Sequence, residues 1–162
     1  MATIAPLTGM GRVCWSEMRD STGSATAIPL LLGSVAWGTP ETATTALRDL
    51  RERICQYGFV VEQATAATVP FLYELARLPQ VTCRAQILHL LKNIAETRQW
   101  ESIAGAYPKL LNHRENPAAW ERAAREAVHA HQDTLSVLMS EDDIEIAHAT
   151  TELARTLDRQ TC

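Results

Sequence analysis

Slid against itself until Ile28 meets Val69, the first half of the chain superposes position by position, and this internal repeat limits the possible folds more than any other feature. In that register Pro29, Leu30 and Leu31 fall on Pro70, Phe71 and Leu72. Past the following turn, Ala46, Leu47, Leu50 and Ile54 fall on Ile87, Leu88, Leu91 and Ala95. A third, weaker copy follows at a longer offset and places Leu72 and Leu75 on Leu135 and Leu138, and Leu90 on Leu153. Within the copies apolar residues recur at three and four, the period of a helix buried on one face. An amphipathic helix pair cannot bury its apolar side alone, so the copies must stack into one core. The alternative is an irregular helical bundle with a chance self-match, since amphipathic helices resemble one another.

β-strand alternation is scarce, and the punctuation is helical. Thr39-Pro40-Glu41 offers a cap followed by proline in the first turn, and Gly58 after Gln56-Tyr57 marks the helix end. The 162 residues, 46% hydrophobic and 21% charged, suit one domain that buries roughly 70% of its unfolded surface. Residues 1–12 carry Thr, Gly and Pro without a helical period and are expected to form a flexible N-terminal tail. Residues 13–162 form the single domain, with an insert at about 98–118 where Trp100, Gly105, Pro108 and Pro117 interrupt the pattern and a short helix is expected around Ile103–Leu111.

The period and the Val69-Pro70-Phe71-Leu72 helix start resemble bacterial HEAT-repeat (armadillo-type) proteins. The run from Gln56 to Leu72 is similar to the inter-repeat loop and helix start of small HEAT-like proteins, and the resemblance spans about residues 15–158. Arg84 matches the arginine that such repeats carry near the start of the second helix, whereas the third copy has Ala147 there. The resemblance implies an all-α fold, a short right-handed α-α superhelix of about three HEAT-like helix pairs. It also implies a role as a scaffold or adaptor.

Charge and motifs exclude several classes. Fifteen basic residues against 19 acidic give a net charge of −4, and a chain with only Lys92 and Lys109 beside its arginines does not suit nucleic-acid binding. No stretch approaches the length of a membrane span, and no basic segment precedes an apolar block near Met1, so a cytoplasmic location is expected. Cys14, Cys55, Cys83 and Cys162 contain no C-x-x-C pair. Phosphate-binding glycine loops and the G-x-S-x-G nucleophile turn are absent, and no cofactor is implied.

Two E-x-x-H patterns, Glu126/His129 and Glu145/His148, carry the spacing of a di-iron carboxylate site. With a helix turn near Ser140, however, the pairs lie roughly 9 Å apart in height, too far for one dinuclear centre. His129 and His131 point to different sides of a helix and are expected at the surface. Glu141-Asp142-Asp143 after the turn are expected to complement the positive end of the last helix. Trp15, Trp37, Trp100 and Trp120 lie near expected helix ends or in the insert and suit caps over the core.

Equivalent positions on stacked second helices form a surface ladder, and this provides the better candidate site. Arg48, His89 and Glu152 share one rung; Glu52, Asn93 and Thr156 share a second; Glu41, Thr82 and Glu145 share a third. The loop Tyr57–Thr65, with Tyr57, Phe59, Glu62 and Gln63, is the other candidate. Both have a plain alternative, a solvated helix face and aromatic packing over helix ends. The expected function is a HEAT-like module binding a protein or peptide partner through this polar face and loop. The competing expectation is a small all-α enzyme or metabolite-binding protein using His89 or His129 with a nearby Glu in a pocket under the insert, for which a small molecule is the partner. A HEAT-like DNA-repair glycosylase needs a basic face that the Glu-bearing rungs do not supply.

Overall fold

A computed structural model describes residues 7–106 and 117–161. Its helices are α1 (Ile28–Trp37), α2 (Pro40–Ile54), α3 (Thr65–Ala76), α4 (Arg84–Glu96), α5 (Gln99–Ala106), α6 (Pro117–Ala130), α7 (Thr134–Leu138) and α8 (Ile144–Thr161). Two antiparallel hairpins of very short strands interrupt them, β1 (Arg19–Asp20) with β2 (Gly23–Ser24) and β3 (Cys55–Gln56) with β4 (Val60–Val61). The fold is therefore all-α in class. No helix among the described residues is long and apolar enough to cross a membrane.

The helices start and stop where their backbone groups find partners. Thr39 Oγ1 accepts the amide of Thr42 and Pro40 fills the first turn of α2, as its sequence dictates. At the other end of α2 the free carbonyls are taken up from outside. Ser21 donates its hydroxyl to Glu52 O at 2.7 Å and its amide to Arg53 O at 3.0 Å, while Thr65 Oγ1 donates to Ile54 O at 2.6 Å. The β1–β2 hairpin thus clips the end of α2, and Arg53 Nη1 on Asp20 Oδ2 at 3.3 Å fixes the clip. Gly38 joins α1 to α2 because a Cβ there would lie 2.4 Å from Ser34 O.

The second-helix positions of the repeat share their burial. Ala46 and Ile87, Leu47 and Leu88, Leu50 and Leu91, and Ile54 and Ala95 are all buried in one core. Helix α1 packs on α2, α3 on α4, α1 beside α3, and α8 along α4. Leu30 is 76% exposed while its equivalent Phe71 is 6% exposed. Phe71 is covered by Trp15, ring centroids 6.0 Å apart, and nothing comparable among the described residues covers α1 at the outer edge. Arg84 is buried, donates from Nε to Ala76 O at 2.7 Å and pairs with Glu141, which joins α3, α4 and the approach to α8.

Several elements differ from the sequence expectation. The Val69-Pro70-Phe71-Leu72 segment lies in the second turn of α3, because Thr65 starts the helix one turn earlier while satisfying α2. The short helix of the insert is α5 at Gln99–Ala106, and residues 107–116 lie outside the described residues, as does Cys162. Helix α6 packs on α3, with Glu121, Ala124 and Val128 buried, and the chain turns at His131–Asp133 before the short α7. The chain before the expected turn near Ser140 therefore forms two helices, α6 and α7. Buried Glu121 accepts the amides of Trp100 and Glu101, both at 3.1 Å, and binds Arg125, so α5 is capped from α6. Within the expected tail of 1–12, residues 1–6 fall outside the described residues. Thr8–Arg12 form a 3-10 turn, and Leu7 is buried with its amide on Glu74.

Candidate interaction surface

The α2–α3 connection rises to a tip. Tyr57 and Gly58 both have left-handed backbones, φ 60° and 83°, the pair a tight primed hairpin turn requires, and Phe59 N closes the turn on Gln56 O at 3.2 Å. Glycine meets that demand without strain, whereas tyrosine meets it at a cost of about 1 kcal/mol. Tyr57 is 72% exposed and Phe59 47%, with ring centroids 6.1 Å apart. Below the tip, Cys55 and Val61 are buried, and Trp100 Nε1 donates to Val61 O at 2.9 Å, so the base is rigid. Burial pushes the Cys55 thiol up to about 12, with Arg51 opposing.

Beside the tip runs a groove of about 180 Å³ between α2 and α4, lined by Thr44, Leu47, Arg48, Arg51, Cys83, Gln86 and Leu90. Among the described residues the side chains of Arg48 and Arg51 have no ion-pair or hydrogen-bond partner. The groove reaches the tip through Gly58, where a Cβ would lie 3.8 Å from Arg51 Nη2 and 3.9 Å from Asn93 Nδ2. Arg48, Asn93 and Tyr57 are thus brought to one surface. His89 is exposed on α4.

The remaining ladder residues are placed elsewhere or otherwise engaged. Glu152 lies 3.5 Å from Lys92 Nζ and 3.8 Å from His148 Nε2. Thr156, expected on the second rung, is 2% exposed and bonded to Glu152 O, because α8 turns that side toward the core. Glu52 is exposed on α2, and Glu145 is exposed in the first turn of α8, where its amide is held by Asp143 Oδ1 at 2.9 Å. Glu41 lines a separate cleft of about 380 Å³ between α1 and α2, together with Asp49 and Leu31.

Glu62 faces a third cavity, a polar cleft of about 360 Å³ formed with Arg19, Asp20, Ser21, Thr22, Gly23 and Trp120. Burial holds its carboxyl above the usual carboxylate range; Asp20 adds to the rise and Arg19 opposes it. Asp20 itself has a fully buried side chain that accepts from Thr22 N at 2.8 Å, Thr22 Oγ1 at 2.6 Å and Arg53. No histidine among the described residues lines this cleft. His129 is half-buried and bonded to Gln160 at 2.7 Å, and His131 lies against Tyr73 with ring centroids 5.7 Å apart, so both stand at the surface partly packed. Among the described residues no group of three or more His, Cys, Asp or Glu is arranged to hold a metal ion.

Sequence reasoning missed Arg51. The ladder selected side chains facing solvent, while Arg51, one helical turn after Arg48 on the same face, points into the junction between α2 and α4. Completing the face around Arg48 was the signal that could have found it. No protein-family model, no curated protein and no solved structure matches this chain.

Proposed function

We propose that this chain is a small α-solenoid interaction module that holds a segment of a partner protein against the α2–α4 groove and the Tyr57–Phe59 tip. In this reading the helix pairs are α1–α2, α3–α4 and α6/α7–α8, stacked in a right-handed superhelix of HEAT-like repeats. The shared burial of the equivalent positions and the adjacency of α4 and α8 support the stacking. The described cysteines are free, which suits a reducing cytoplasm.

The observation that carries the reading is the exposed aromatic pair on a left-handed turn. Tyr57 occupies a backbone conformation that glycine or asparagine would fill more easily, and it presents a large ring to solvent on a rigid base. Aromatic rings with few rotatable bonds lose little entropy on contact and dominate binding energy at interfaces. Strain kept at an exposed aromatic position fits a binding role better than a packing role.

A photo-crosslinking amino acid placed at Phe59 in the native cells tests this. The expected result is a defined crosslinked protein whose yield falls at least tenfold when Tyr57→Ala and Arg48→Glu are introduced, and stays unchanged with Glu145→Gln on the distant α8. Equal yield from all variants, or no crosslinked protein, refutes the reading.

A further inference from the structure

The repeat provides an internal control for the junctions between successive second helices. In the register that sets Leu47 on Leu88, Arg51 on α2 falls on Lys92 on α4, and each faces the next second helix. Across the junctions, the register that sets Leu90 on Leu153 likewise makes His89 on α4 equivalent to Glu152 on α8. At the second junction Lys92 meets Glu152 at 3.5 Å and α8 packs along α4. At the first, His89 stands where the second has its glutamate, and Arg51 is left without an acid. The groove opens at this junction.

Of the three cavities described above, this one alone has basic residues and no carboxylate in its lining. That is unexpected on a chain of net charge −4. Its floor is apolar, with Leu47 and Leu90 beneath the two arginines. We infer that the groove takes an acidic peptide segment, whose carboxylates pair with Arg48 and Arg51 and whose apolar side chain rests on Leu47 and Leu90. The inference rests on the reading of this surface as a binding face, and it names the chemistry of the partner.

Arginine forks suit carboxylates, since each guanidinium can donate two parallel hydrogen bonds to one. A nucleic acid fits less well. Two cations neutralise few phosphates, the apolar floor would have no counterpart on a phosphate backbone, and the net charge repels a polyanion. An acidic peptide has the same charge attraction in a shorter segment and supplies the apolar contact as well.

Fluorescence anisotropy on the full chain tests the inference with labelled peptides of about a dozen residues, one of Asp and Glu around two leucines, one with Lys in the acidic positions and one with Ser there. The acidic peptide is expected to bind at least tenfold more tightly than the other two, and to weaken as salt screens exposed charges. Arg48→Glu with Arg51→Glu removes that preference, whereas Arg48→Lys with Arg51→Lys retains part of it. His89→Glu supplies the missing carboxylate from within, and is expected to raise the melting temperature and weaken the acidic peptide several-fold. All these positions are exposed or line the groove, so circular dichroism of the variants should match the parent.

Equal binding of the Lys or Ser peptide, tighter binding of a single-stranded oligonucleotide, no binding of the acidic peptide, or an unchanged preference in the double Glu variant each overturns the inference. A crosslinked partner held at Phe59 through a basic segment also overturns it while leaving the interaction reading intact. The absence of any tip-dependent partner defeats that reading itself.

Discussion

Leu47 and Leu88 hold the same place in successive copies, and truncating each to alanine measures how differently the two copies are enclosed. Leu→Ala removes three carbons, worth about 2.4 kcal/mol at roughly 0.8 kcal/mol per buried carbon. A cavity that does not collapse adds about 24 cal/mol per Å³. Leu88 is fully buried in the middle of the core, with α3, α6 and α8 all packed on its helix, so its cavity should persist and the total should reach about 4 kcal/mol. Leu47 lines the α2–α4 groove and is 6% exposed, so the space left behind joins the groove and the cost should stay near about 2.4 kcal/mol. Urea unfolding monitored by helix signal gives both values, with unchanged slopes required for the comparison. The expected difference is about 1 to 2 kcal/mol, with Leu88→Ala the more damaging. Equal losses, or a larger loss at Leu47, would refute the claim that the first junction is open and the second closed.

Tyr57→Asn should raise stability by up to about 1 kcal/mol, because asparagine accepts the left-handed backbone more readily, and should abolish partner crosslinking at Phe59; a destabilised variant would show that the ring packs rather than binds. Glu62→Gln should raise the melting temperature at neutral pH by up to a few degrees. Burial lifts the folded carboxyl above its ordinary 4.5, so the wild type is penalised once pH exceeds the folded value, the penalty shrinks as pH falls back through it, and it is gone below about 4.5; a gain that persists at pH 3 would contradict this. Alkylation by iodoacetamide at pH 8, read by peptide mass, should label Cys14 rapidly and spare Cys55 and Cys83 until the chain unfolds, since Cys55 is buried with its thiol pushed up to about 12 and Cys83 is raised by burial as well.

Much of the helical framework was legible because its signals are local. The Thr39-Pro40 start and the apolar faces of α2 and α4 are each written within one turn of the element concerned, whereas α2 stops at Ile54 and Gly58 serves the β3–β4 turn instead of the helix end. The β1–β2 clip was not legible, since its stability comes from carbonyls at the end of α2, far along the chain, and Arg19–Ser24 carries no apolar period. The packing face of helix α6, though not the helix itself, was obscured by composition. Its inward face consists of Pro117, Glu121, Ala124 and Val128, and a buried glutamate and alanine give little hydrophobic contrast. The start of α3 was displaced for a similar reason, because Thr65 begins the helix through a bond to α2 that only the folded chain supplies. At the candidate surface, aromatic residues and glycine marked the loop, but nothing local reveals that Tyr57 shares the left-handed conformation with Gly58.

A repeat divides its positions into two kinds, and the division bears on where recognition can reside. Positions that match in both residue type and burial, such as Leu50 and Leu91, are constrained by the core, and altering them tests stability. Positions that match in register but not in partner are free of that constraint. Lys92 is paired across to α8, whereas its equivalent Arg51 stands in an open groove with a histidine where the corresponding junction has a glutamate. If packing alone governed both junctions, a glutamate at position 89 would close the first as Glu152 closes the second, at a gain of roughly 0.2 to 1 kcal/mol for a partly exposed pair. Leaving that small gain unrealised keeps two arginines available over an apolar floor, next to a turn that already carries strain at Tyr57. Two independent departures from the most stable choice, one in charge and one in backbone, meet at Gly58, and this coincidence is the reason to test the proposed binding there rather than on the paired face of α8.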